Sequence, residues 1–190
     1  DNAKVTLNGE FFEVTSSGYA TSCRDASDIV MNFQRIICGG SYAVFLRSGN
    51  TSGFSGTCRI ETEEIFCTGG TNNIVFSNVL AGAKIFIECP DIKQTGAGIA
   101  IFNINQQGGE IYITGNTTAQ NCLYVSGSGG YMKIEGDMIV TTDGASTAAV
   151  LGGNTYINGD FYCESAVTAL TQIIAQSSGT LRLNGKLQNP

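Results

Sequence analysis

Along this chain an apolar residue, a variable residue and a second apolar residue are repeatedly followed by a polar residue and usually a glycine. The clear copies are Val5-Thr6-Leu7-Asn8-Gly9, Ile111-Tyr112-Ile113-Thr114-Gly115, Met132-Lys133-Ile134-Glu135-Gly136, Thr155-Tyr156-Ile157-Asn158-Gly159 and Leu181-Arg182-Leu183-Asn184-Gly185. Degenerate copies begin at Met31, Cys58 and Ile85. The last residues of the copies fall at 9, 35, 62, 89, 115, 136, 159 and 185, in steps of 26, 27, 27, 26, 21, 23 and 26. Each phrase has the period of two that marks a half-buried strand. A near-constant step of this size predicts stacked supersecondary units that cannot bury an apolar face alone.

Two more alternations follow the phrase in each period. The second includes Ile36-Ile37-Cys38, Ile65-Phe66-Cys67 and Phe161-Tyr162-Cys163, and the third Ile74-Val75-Phe76, Cys122-Leu123-Tyr124-Val125 and Ala149-Val150-Leu151. Gly, Ser, Thr and Asn separate them, as strand corners require. The pattern predicts an all-β, single-stranded parallel β-helix with three short strands per coil and about seven or eight coils. Strands of successive coils pair in parallel, so like residues stack in ladders. Gly9, Gly115, Gly136, Gly159 and Gly185 are expected at a crowded corner after the first strand, where a side chain would be unfavourable.

The composition supports one domain over residues 1–190: 42% of residues are hydrophobic and 14% charged, with 25 Gly and 2 Pro. No long segment has helical apolar spacing; Glu164 to Gln176 comes nearest. A net charge of −6, with 10 Lys and Arg and no cationic run, argues against a nucleic-acid surface. No apolar run reaches membrane-span length, and the first residues lack a signal-peptide layout. A repeat copy stands at each end of the chain without an obvious cap, so a fragment of a longer protein is expected.

The 7 cysteines cannot all pair internally. Cys38, Cys67 and Cys163 occupy one place in the repeat and read as a stacked interior position, where a thiol packs as a small hydrophobe. A disulfide between Cys38 and Cys67, from consecutive coils, is the alternative. With no His and no CxxC spacing, neither a metal site nor a cofactor is expected.

The candidate chemistry is sparse. Asp137 and Asp160 hold equivalent corner places in adjacent coils, and a carboxylate pair so placed suits a retaining glycosidase; the competing reading is a pair of solvated turn residues. A lyase site around Arg24, Asp25 and Asp28 is weaker, having no second acidic cluster. The absence of His excludes an imidazole base and a Ser-His-Asp triad. Phe54, in a long Gly/Ser loop, and Tyr131 and Tyr156, in the repeat, are the candidate sugar-stacking residues; core packing or a subunit contact is the competing role for such aromatics.

The three-strand coil, the corner glycine and the ladders resemble the right-handed parallel β-helix. Low-charge phrases such as Tyr131 to Asp137 and Thr180 to Pro190 are similar to the β-helical parts of bacteriophage tail fibres, tailspikes and other virion appendages. This resemblance implies a homotrimer, contacts with other virion proteins and with host surface polysaccharide, a virion location, and in some members cleavage of that polysaccharide. The expectation is a non-enzymatic structural or receptor-binding segment. The alternatives are a polysaccharide-degrading β-helix and a bacterial surface or secreted adhesin.

Overall fold

The computed structural model describes residues 3–15, 27–39, 46–47, 55–68, 72–95, 100–119, 122–127, 130–142, 147–152, 154–165, 171–176 and 180–188. Every regular element among them is a strand. The order is β1 (Lys4–Val14), β2 (Asp28–Cys38), β3 (Leu46–Arg47), β4 (Thr57–Cys67), β5 (Asn72–Leu80), β6 (Lys84–Gln94), β7 (Ala100–Gln107), β8 (Glu110–Ala119) and β9 (Cys122–Gly127). It continues with β10 (Tyr131–Glu135), β11 (Met138–Thr142), β12 (Thr147–Gly152), β13 (Asn154–Asn158), β14 (Phe161–Ser165), β15 (Thr171–Gln176), β16 (Leu181–Leu183) and β17 (Leu187–Gln188).

The first face stacks β1, β2, β4, β6, β8, β10, β13 and β16 in that order. The second face runs through the distal halves of β1, β2, β4, β6 and β8 and continues in β11, β14 and β17, while the third stacks β3, β5, β7, β9, β12 and β15. Ladders between these strands are parallel, and each circuit returns the chain one level up. The fold is a parallel β-helix.

Alternation places Ile29 and Met31, Cys58 and Ile60, Ile85 and Ile87, and Ile111 and Ile113 inside, each no more than 1% exposed. Equivalent residues lie directly over one another, as Ile60 over Met31 and Ile87 over Ile60. Stacked β-branched side chains fit a pleated, buried surface, and each buried aliphatic contributes about 1.5–3 kcal/mol. The second face adds Ile36, Ile65, Ile92, Met138 and Phe161 to the same column.

The structure corrects the first two steps of the repeat. Val5 pairs with Ile29 and Leu7 with Met31, so the second copy begins at Ile29 and not at Met31. A slip of two residues keeps the inward and outward faces unchanged, so the apolar pattern alone does not detect it. Gly9 consequently lies opposite Phe33, at the corner position that Thr62 holds two rungs up, with the Phe33 ring and not a glycine next to it.

The corner between the first and second faces comes in two forms. In the lower rungs an inward side chain braces it. The Thr62 hydroxyl lies 3.1 Å from the Gln34 carbonyl and 3.2 Å from the Glu64 carbonyl, and the Cys89 thiol donates to the Asp91 carbonyl at 3.2 Å. From β8 upward the corner is one residue shorter. The register shifts between Glu88 and Asp91 as Cys89 and Pro90 face Gly115 alone. Above it Gly136, Gly159 and Gly185 stack so tightly that a Cβ on each would meet the carbonyl oxygen of the glycine below at 2.2, 2.2 and 2.0 Å. Gly115 and Gly136 also have φ of 121° and 146°, which side-chain-bearing residues rarely adopt. Where the short corner breaks pairing, the long strand divides, giving β10 and β11, then β13 and β14.

Cys38 and Cys67 are in register, fully buried and unbridged. The Cys38 thiol and burial together hold Cys67 well above the ordinary thiol pKa. Cys163 is in register with Val140.

Candidate binding face

The middle residue of each phrase points outward from the first face. Register therefore builds one external column, Arg59, Phe86, Tyr112, Lys133, Tyr156 and Arg182, rung over rung. Beside it runs a polar column of Glu61, Glu88, Thr114, Glu135 and Asn158 on β4 and the strands above it, continued by Asn184 just past β16.

The lower part of this face is closed on itself. Phe86 and Tyr112 stack with centroids 5.1 Å apart and planes 10° apart, and the Arg59 guanidinium lies 4.7 Å from the Phe86 centroid. Arg59 also binds Glu88 at 2.5 Å. These two ring faces cover one another. Tyr131 leans in from the neighbouring position, 5.7 Å from Tyr112 and 5.2 Å from Tyr156, with planes tilted by 48° and 34°. The Tyr112 hydroxyl donates to Glu110 at 2.8 Å, and that hydrogen bond raises its pKa.

The upper part is open. Lys133, Tyr156, Ile157, Asn158, Arg182, Leu183 and Asn184 line a cleft of about 550 Å³. Lys133 lies below Tyr156 and Arg182 above it in the same column. The amide of Asn184 donates to Asn158 at 2.7 Å, and that of Asn158 donates to Glu135 at 2.6 Å. Lys133 pairs with Glu135, which raises the lysine pKa and lowers the glutamate's. Arg182 forms no ion pair with a described residue. The lining thus carries a phenol ring, two amides and two cations, and no carboxylate.

Of the residues singled out from sequence, Tyr131 and Tyr156 meet on this face, and Tyr156 lines the cleft. Phe54, Arg24 and Asp25 lie outside the described residues; the Asp28 carboxylate accepts the Thr57 N–H at 3.2 Å. Asp137 and Asp160 lie at the corner, on consecutive rungs, and belong to a ladder of side-chain acceptors. Asn116 accepts the Asp137 N–H at 3.0 Å, Asp137 the Asp160 N–H at 2.8 Å, and Asp160 the Lys186 N–H at 2.8 Å. The Tyr162 hydroxyl donates to the other Asp160 oxygen at 3.1 Å. The Lys186 N–H, ahead of the opposing desolvation, lowers the Asp160 pKa. A general acid working near neutrality needs the opposite shift.

Sequence reasoning passed over Lys133, Arg182, Asn158 and Asn184. The signal was present, since all four occupy outward positions of the aligned phrases. No metal-binding group of three or more acidic, Cys or His side chains occurs among the described residues. No protein-family model, curated protein or solved structure matches this chain.

Proposed function

We propose that the chain is a rigid, non-enzymatic β-helical segment of a virion appendage that docks on host surface glycan through its first face. One observation carries the binding part of this reading. The cleft beside Tyr156 offers an aromatic ring, amide donors and cations, and its lining contains neither a carboxylate nor a thiol. Those groups hold a sugar without cutting it, because glycoside hydrolysis needs paired carboxyl groups flanking the bond. The two acids best placed for such a pair already accept backbone N–H groups at the corner. The appendage, and the homotrimer and neighbouring virion proteins that go with it, rest on the sequence resemblance; a solenoid locked by stacked rungs suits an extended, load-transmitting part.

A glycan array probed with the chain and with Tyr156→Ala tests the binding reading. Retention of a glycan by the native chain, lost in the variant, is the expected result, with no new reducing ends released. An array on which the native chain retains nothing, or turnover that Asp160→Asn abolishes, overturns it. Light scattering that shows only monomers removes the trimer.

A further inference from the structure

Resting on the glycan-docking reading, we infer that the cleft beside Tyr156 selects acidic oligosaccharides, with Arg182 and Lys133 receiving sugar carboxylates. The chain as a whole repels anions, with 16 acidic against 10 basic residues. Against that background the cleft lining holds two cations and no acid. They stand one rung above and one rung below Tyr156 in a single column. The Lys133 charge is shared with Glu135, but Arg182 has no carboxylate among the described residues, and its planar fork suits bidentate contact with one.

The geometry of the rings points to the same end of the face. Phe86 and Tyr112 cover each other and Arg59 takes the remaining side of Phe86, so these surfaces are occupied. Among the described residues Tyr156 ends the run of ring contacts, and the next residue in its column, Arg182, also lines the cleft. Rungs about 4.8 Å apart are close to the length of one pyranose ring, so a glycan lying along the column meets a new rung with each sugar. An acidic sugar on Arg182 would leave the next over Tyr156 and a third near Lys133. Asn158 and Asn184 stand alongside, where an amide can exchange its neighbour for a sugar hydroxyl.

Calorimetric titration with a galacturonate hexamer and with maltohexaose tests this. The native chain is expected to bind the acidic hexamer at least tenfold more tightly, and rising salt should erode the preference. Arg182→Gln should remove most of that preference, weakening the acidic hexamer far more than maltohexaose. Tyr156→Ala should weaken both hexamers. Lys93→Gln, on the second face, should alter neither. Equal binding of the two hexamers, or a preference that Arg182→Gln leaves intact or that Lys93→Gln weakens equally, overturns the acidic selectivity while glycan docking stands. Binding of neither hexamer, with native circular dichroism, overturns the acidic selectivity, and the glycan array decides the docking reading separately.

Discussion

Replacing Gly136 by alanine should be far more damaging than a glycine-to-alanine change usually is. The added Cβ would sit 2.2 Å from the Gly115 carbonyl oxygen and 2.6 Å from its carbonyl carbon, both backbone atoms of the rung below. Relief requires the rungs to separate, which breaks ladder hydrogen bonds on either side. The φ of 146° adds a second cost. Overpacking of this kind costs about 1–3 kcal/mol, and an unfavourable backbone conformation about 1–3 kcal/mol more. The sum, about 2–6 kcal/mol, is a large share of a typical domain's 5–15 kcal/mol. Gly82 provides the control. Its φ is 90°, but nothing lies within 4 Å of the position its Cβ would take, so Gly82→Ala carries only the conformational cost. Urea denaturation followed by circular dichroism measures both. Gly136→Ala is expected to lose at least about 1 kcal/mol more than Gly82→Ala. Equal losses would refute the reasoning, because they would mean that the glycines do not stack.

Other consequences follow from buried and laddered polar groups. The Thr155 hydroxyl is buried in the core with no hydrogen-bond partner among the described residues, so Thr155→Val, which keeps the shape, should raise stability by about 1 kcal/mol in the same urea assay. Burial lifts Cys89 to about 11, and the hydrogen bond with Cys38, ahead of burial, holds Cys67 well above the ordinary thiol range. A raised folded-state pKa means stability is whole below the unfolded thiol value near 8.5 and is lost as pH climbs toward about 11, so melting temperature should fall over that range and Cys89→Ser should blunt the fall. Asp160 behaves inversely. Its pKa is lowered, so its contribution is present above the unfolded carboxyl value near 4 and is lost as pH drops below that. Asp160→Asn, which keeps the acceptor but not the charge, should lower the neutral-pH midpoint slightly and flatten its fall in acid, and Asp160→Ala should lower it further.

The period of the chain and the inward and outward faces were legible because parallel stacking puts chemically similar residues in register. Cys67 over Cys38 and Ile157 over Ile134 are visible in the aligned phrases before any coordinates. The slip at Met31 was not legible, since a two-residue shift preserves the alternation and the copy lacks a glycine to mark its corner. Nor was the change from a braced corner at Thr62 and Cys89 to a glycine corner at Gly115 and above, which depends on a one-residue deletion between faces. Asp137 and Asp160 were legible as neighbours, but their use as backbone acceptors turns on which oxygen meets which N–H. The cleft was hidden for a different reason. Tyr156 stands out in any sequence, whereas Lys133 and Arg182 acquire meaning only once the register sets them on either side of it.

Backbone NMR tests the laddered winding most directly. Lys133 is expected to show cross-strand contacts to both Tyr112 and Tyr156, in the amide-to-α pattern of parallel strands, as its pairing on two sides requires. Strong α-to-α contacts typical of antiparallel pairing, or contacts from Lys133 to only one of the two, would contradict it.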